Sequence, residues 1–513
     1  MRAARAPGEP GRAFSIDWLL GLGSGAFACG ASSGAFARNV YAHLMLLAPE
    51  GGGGRLLRAL DARVAVEGRT YSLDRSHAGV DHGIPNAEAV SFAADPWPHW
   101  IWRAEDAVIE KSLVPITGHP AVIVVFRHLA GPRVRLVVTP VIEPGDARDV
   151  VEEDDGPAIQ TIPGRVRIVA GTATLTLWHG GAFLPLRATR PAVDPDDEGV
   201  GGLPRSRRAW VPGLIETPLG PGESLHLIAS GENDLLRALA REDRLGSPPP
   251  RSLAACAELI EAGERERVLR DDGAARDAAN RTARRALQSR HPGTVETEAV
   301  AFDDSDPWIG PLARTVQLGW RDQSGREAMV ESLPLAEERG VAALRSVRAL
   351  IALDDRERAR DVLCRYGQLV RDGVVPSGFD SAGRPRFGGV EPSLWLVIVT
   401  EHVARRADDY EFVRRALFPT LELVVESIRT GRVDGVRVGT DALLETDEHG
   451  EASQRSDLNA LWYQAQVAMG QLARALGQKE QGAFRRGRRR TPARRRLTAV
   501  CPASRAQHHP RRP

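Results

Sequence analysis

Carboxylates, guanidinium groups and aromatic rings carry most of the chemistry this sequence could perform. Asp322, Arg326, Glu327 and Glu331 fall within ten residues of one another, a mix suited to charge-assisted hydrogen bonds with a polar ligand. A second acidic group, Glu445, Asp447, Glu448 and Glu451, surrounds His449 and reads as a solvated loop. Other chemistries lack their components. Gly21, Gly23 and Gly25 do not make a G-x-G-x-x-G turn. His77, Asp81 and His82 are metal-ligating types without a further suitably spaced partner, and Cys501 with His508 and His509 falls short of a zinc site. The four cysteines (Cys29, Cys256, Cys364, Cys501) show no CxxC spacing, so neither a zinc ribbon nor a disulfide scaffold is expected. No metal and no cofactor is expected.

These residues must be positioned by a chain of 513 residues, enough for two domains or more. From Phe14 to about Ser230 short apolar or alternating runs recur: Leu57–Val66, Val108–Leu113, Ala121–Arg127, Val134–Pro140, Val166–Val169 and Ala173–Trp178. Gly, Pro or Asp turns bound each run. Strands at this spacing, without helical repeats between them, predict an antiparallel β-sandwich. Residues 232–299 read as a helical connector, with Leu235, Leu236 and Leu239 on one face and a long charged helix from Leu253 to about Leu287. Helical periodicity then dominates. Gly340–Leu353 pairs with Arg356–Arg371, Pro392–Arg406 pairs with Glu411–Thr430, and Leu458–Leu476 begins a third hairpin.

The net charge of +1 hides an asymmetry. Eleven arginines lie between Arg485 and Arg512 and no acidic residue follows Glu480; without those arginines 57 basic residues face 67 acidic ones. The segment 479–513 reads as a disordered Arg-rich tail, and in a GC-rich gene a frameshift product or degenerate end would look like this. Eleven cations would give salt-dependent phosphate affinity, but no nucleic-acid-binding fold accompanies them, so a nucleic-acid partner ranks last. No apolar run is long enough to cross a membrane and Met1–Arg12 lacks the apolar core of a secretory signal. The expectation is a cytoplasmic protein.

Motifs in both halves resemble those of bacterial and archaeal glycogen debranching enzymes. Asp17-Trp18-Leu19-Leu20-Gly21-Leu22-Gly23-Ser24-Gly25-Ala26-Phe27, followed by Arg38 and Tyr41-Ala42-His43-Leu44, is similar to that family's "EWL-x-x-N-x-x-GG-Y/F" and "R-x-YHGLL". Phe92–Trp100, Ile109-Glu110-Lys111 and Pro140 through Asp149 follow in order. In the helical half, Trp320–Met329 resembles "W-x-x-DWGRDTM", Asp372–Pro376 "DGLIPN", Val390–Trp395 "VDASLWF" and Leu458–Tyr463 "EINALWY". The resemblance spans about Phe14–Gly477.

It implies a multidomain β + α protein: an N-terminal antiparallel β-sandwich (14–231), the helical connector (232–299) and a partial (α/α)6 barrel (300–478). A full toroid needs roughly 250–350 residues, about twice what Trp308–Leu476 supplies, and half a toroid should expose apolar faces. The implied activity is amylo-α-1,6-glucosidase, hydrolysing the glucose stub at a branch point of glycogen or a related α-glucan with inversion. Such chemistry uses two carboxyl groups about 6.5–9.5 Å apart. The resemblance makes Glu391 and Asp457 catalytic candidates. Asp322, Arg326 and Glu327 become candidates for holding sugar hydroxyls, and Trp395, Trp462 and Tyr463 for stacking on sugar rings. Glu391 and Glu327 stand where the family has Asp. Thr440–Arg455 replaces a "TWMDA" segment whose Asp is the family's proposed general acid, and the region of the general base, beyond Tyr463, has no counterpart. A relative that binds glucan without hydrolysing it is the alternative.

Overall fold

The computed structural model describes residues 4–5, 17–22, 26–33, 42–47, 53–73, 83–143, 145–146, 156–170, 173–192, 207–290, 308–322, 327–329, 338–380, 383–448 and 451–478. His77, Asp81, His82, Arg326 and the arginine-rich tail lie outside them. The chain divides into two compact units. The first holds residues 1–273, 307–311 and 332–336, and the second holds the remainder.

The first unit is built on antiparallel sheets. Its nine-stranded sheet has at its centre Ala107–Pro115 paired with Ala121–Ala130, which pairs in turn with Ser224–Ser230. A five-stranded sheet places Val134–Val141 between Arg207–Leu219 and Ala59–Val66. Val134–Val141 alternates because one face meets the core: Val134, Leu136 and Val138 are buried, Arg135 is exposed. Ala121–Phe126 is instead buried at every position, as a strand covered on both faces must be. Side chains from both sheets join one apolar cluster.

Helix α1 (Leu235–Arg241) and the beginning of α2 (Leu253–Arg290) add Leu235, Leu239, Cys256, Ala257, Ile260 and Val268 to that cluster. Two buried acids fix the start of α2. Glu264 accepts hydrogen bonds from the Thr117 amide and hydroxyl, both 2.8 Å, from Arg244 at 2.6 Å and from Arg267 at 2.8 Å. Glu261 accepts from Arg127 at 2.5 Å. Glu264 is tolerated in the interior because its carboxylate has four donors, and Glu261 because arginines take both of its oxygens.

The second unit is mainly helical. Helix α3 (Ile309–Leu318) is followed by a short hairpin, Trp320–Asp322 with Glu327–Met329. Helices α4 (Gly340–Ala352) and α5 (Arg356–Gln368) form the expected first pair. Asp354, at φ 59°, turns the chain, and Asp355 caps α5 by accepting from the Arg358 amide at 3.2 Å. Helix α6 (Glu391–Ala407) begins with Pro392 in its first turn and stops at Asp408, φ 55°. The predicted helix Glu411–Thr430 is interrupted. It forms α7 (Tyr410–Phe412), a π-turn over Val413–Leu417 and α8 (Phe418–Arg429). Pro419 has no amide hydrogen to continue the regular ladder, which accounts for the break. Helix α9 (Ser456–Ala475) ends the described chain.

Helix α6 packs against both α4 and α9, and all of them feed one apolar cluster. Among the described residues no helix is long and apolar enough to cross a membrane.

Candidate active site

Helices α6 and α9 hold most of the residues singled out by sequence, and hydrogen bonds fix the segments that lead into α4, α6 and α9. The Gly340 amide donates to the Ser377 carbonyl at 2.8 Å, the Phe379 amide to the Glu338 carbonyl at 3.0 Å, and the Val375 amide to Ser393 Oγ at 3.0 Å. The starts of α4 and α6 are therefore tied through residues 372–379. Glu338, fully buried, also accepts from Arg365 at 2.5 Å and from the Tyr366 hydroxyl at 3.0 Å. The Arg365 guanidinium lies over the Tyr366 and Phe379 rings. Before α9, the chain forms a three-stranded antiparallel sheet of Val436–Val438, Leu444–Glu448 and Glu451–Ser453. Asn459, buried in the first turn of α9, grips it: Oδ1 accepts from the Leu444 amide at 2.7 Å, and Nδ2 donates to the Leu444 and Arg455 carbonyls at 3.0 and 2.9 Å.

Glu391 stands in the first turn of α6, partly buried, where the helix N-terminus favours negative charge. Trp395 lies one turn later on the same side, partly buried. The Arg345 guanidinium sits 5.3 Å from its ring, and its indole nitrogen is buried without a partner. Trp462 is buried in the core with its indole nitrogen likewise unpartnered, and Tyr463 beside it is partly buried. Asp457 is exposed and paired with Arg455 at 2.5 Å; the Arg455 hydrogen bonds hold its carboxyl below the usual range. Among the described residues, no hydrogen bond or ion pair joins Asp457 to Glu391. Asp322 and Glu327 are opposite partners in the short hairpin.

The sequence reading named Glu445 only as part of a solvated acidic loop and missed Asp441, which the 436–453 hairpin brings beside it. Asp441 sits in a tight loop closed by the Gly439 amide on the Leu443 carbonyl, 2.8 Å, and its Oδ1 accepts from the Leu443 amide at 3.1 Å. Ala442, next in sequence, has φ 64°, a conformation that L residues other than glycine rarely take. Glu445 accepts from Arg437 at 2.6 Å through Oε2 and from Gln454 at 3.0 Å through Oε1. The same Gln454 nitrogen reaches Asp441 Oδ2 at 3.4 Å. Arg437 first, and Gln454 second, hold Glu445 below the ordinary carboxylate range. A Cβ on Gly439 would lie 2.9 Å from Asp441 Oδ1 and 3.1 Å from Glu445 Oε1, so those oxygens stand within about 6 Å of each other. The acidic run is thus a paired strand with an engaged carboxylate at Glu445. The signal was present in one dipeptide: Asp441-Ala442 keeps the Asp-Ala of "TWMDA".

Comparison with known proteins follows the division of the chain. A family model described as glycogen debranching enzyme N terminal matches residues 17–226, and one described as amylo-alpha-1,6-glucosidase matches residues 329–460. Similar solved structures include a bacterial glucoamylase complexed with acarbose, at 10% identity and TM-score 0.49, over 94% of this chain and 67% of that one. A family GH92 alpha-mannosidase from Bacteroides thetaiotaomicron is similar at 10% identity and TM-score 0.33, over 77% of this chain and 50% of that one. The chain therefore spans about two thirds and half the length of these two structures. No curated protein matches the chain. With the two models matching in order, one on each side of the helical stretch, the chain belongs to the glycogen debranching enzyme family.

Proposed function

We propose that this protein hydrolyses α-1,6-linked glucose stubs at branch points of glycogen or a related α-glucan, with inversion, in the cytoplasm. The observation that carries the reading is the carboxylate Asp441, on the segment before α9, within a chain whose two halves both match the family. In this reading residues 14–231 are a β-sandwich, 232–299 a connector, 300–478 part of an (α/α)6 barrel and 479–513 a tail.

Asp441 is the proton donor to the glycosidic oxygen. A second carboxylate must activate water from the opposite face of the sugar, about 6.5–9.5 Å away. Glu445 is too close to Asp441 for that role. Glu391, partly buried at the start of α6, and Asp457, at the start of α9, are the remaining candidates for the base. Trp395 and Tyr463, both partly buried, stack against glucose rings, whereas Trp462, expected to do the same, packs in the core; Asp322, Arg326 and Glu327 hold hydroxyls. Two carboxyl groups suffice for this reaction without metal or cofactor.

The test is incubation of the full chain with a branched limit dextrin, following the first released sugar by proton NMR. β-Glucose appearing first is the expected result. No glucose from a folded preparation refutes hydrolysis. The second reading, glucan binding without hydrolysis, is favoured by the Arg455 ion pair on the exposed Asp457. Retardation in a glycogen-containing gel without glucose release would support it.

A further inference from the structure

We propose that Glu445 is a positioning residue for Asp441, acting through the Gln454 amide and anchored by Arg437; this rests on the reading of Asp441 as proton donor. The four groups form a chain. Arg437 Nε takes Glu445 Oε2 at 2.6 Å, which leaves Oε1 to receive Gln454 Nε2 at 3.0 Å. That amide nitrogen carries two hydrogens, so it can also serve Asp441 Oδ2 at 3.4 Å. The other Asp441 oxygen already accepts from the Leu443 amide at 3.1 Å. Both oxygens of Asp441 are thereby fixed, one by its own backbone turn and one by a side chain whose orientation depends on Glu445.

Two backbone features allow this. Gly439 leaves room beneath both carboxylates, where any β-carbon would meet their oxygens at about 3 Å. Ala442 accepts a positive φ that closes the loop around Asp441. A strained residue beside an ordered carboxylate is the arrangement expected where orientation matters. Glu445 is not the partner base, because the spacing to Asp441 leaves no room for a glucose ring and a water between them. Nor is it free to move, because Arg437 and Gln454 hold one oxygen each.

The experiment compares the full-length wild type with Glu445→Gln, Glu445→Ala and Gln454→Leu. Gln454 is exposed, so its replacement leaves folding intact. On the limit dextrin, Gln454→Leu and Glu445→Gln should lower kcat roughly 10–100-fold with KM within about twofold, as expected for a misoriented catalytic group. The released sugar should remain the β-anomer. Azide should not restore Glu445→Ala. Formation of a glucosyl azide by that variant would make Glu445 itself the base or nucleophile and overturn the proposal, as would unchanged kcat in Gln454→Leu. If the wild type releases no glucose, the hydrolytic reading fails separately. Crystal structures of wild type and Gln454→Leu then decide the positioning role: a reoriented Asp441 side chain supports it, and an unmoved one overturns it.

Discussion

Asn459 offers the sharpest test of how the hairpin before α9 is held. Its amide makes three hydrogen bonds in a site only 3% exposed, two of them to the main chain of Leu444. Asn459→Ala removes all three and leaves the Leu444 N–H and C=O without partners. Each abandoned buried group costs about 1–3 kcal/mol; some water entry should bring the total to about 2–4 kcal/mol. Asn459→Asp separates the donor from the acceptor role. One carboxylate oxygen can still accept from the Leu444 amide, but the other faces two carbonyl oxygens where Nδ2 donated. An uncompensated buried charge costs about 3–5 kcal/mol, so at neutral pH the Asp variant should be less stable than the Ala variant. The facing carbonyls raise the pKa of this new carboxyl above its unfolded value. The penalty is therefore complete above the folded-state pKa and fades as pH falls toward the unfolded one, where a protonated Asp can donate again. Chemical denaturation and hydrogen exchange at the Leu444 amide read both effects. A loss below about 0.5 kcal/mol in Asn459→Ala with unchanged Leu444 protection would refute the reasoning, as would a pH-independent Asn459→Asp.

Three further outcomes follow from other parts of the molecule. Glu264→Ala removes a buried carboxylate that receives four hydrogen bonds and leaves the Thr117 amide without its acceptor, while Arg244 keeps the Thr117 carbonyl and Glu242; denaturation of the first unit should show a loss of about 1–3 kcal/mol. Ala442→Gly relieves a positive φ at 64° and should stabilise the second unit by about 0.5–1 kcal/mol, measured by its melting temperature. His402, on α6, has its pKa lowered to about 4 by burial, with Arg348, Arg405 and Arg406 adding to it. A depressed histidine pKa contributes stability above the unfolded value near 6.5, lost as pH falls through 4. The loss should be about 1–2 kcal/mol after discounting for solvent at the partly open ring. Stability of His402→Gln should change less between pH 7 and 4 than that of wild type.

Much of the architecture was legible because burial imposes a period on the sequence. Val134–Val141 alternates where one face is buried, and Ala121–Phe126 is continuously apolar where both are. The pairs α4–α5 and α6–α8 were bounded by Asp354-Asp355 and Asp408-Asp409, residues that tolerate left-handed turns and cap helices. The interruption before α8 was written in Pro419, yet an apolar stripe running through Val413, Leu417, Leu421 and Val425 overrode it in the one-dimensional reading. The expectation of an incomplete toroid carried with it an expectation of exposed apolar faces. Among the described residues of the second unit, only Leu312 and Leu423 are large, apolar and exposed. Helix α9 turns Gln464, Gln471 and Arg474 outward instead.

The site was less legible, and for a different reason. Periodicity reports which face of an element is buried; it says nothing about which carboxylate meets which donor across a turn. Thr440–Arg455 reads as a run of acids, and a run of acids is ordinarily solvated. In three dimensions the antiparallel register places Glu445 opposite Arg437, eight residues away, and brings Gln454 back over both Glu445 and Asp441. Asp457 shows the reverse. Its donor is Arg455, two residues back, which pairs with it at the protein surface. A carboxylate's chemistry depends on the donors and charges that surround it, which come from strand pairing for Glu445 and from chain neighbours for Asp457. Asp441 was legible in the Asp441-Ala442 dipeptide, but its rigid seating required treating Thr440–Arg455 as a hairpin and asking which acid its turn would hold.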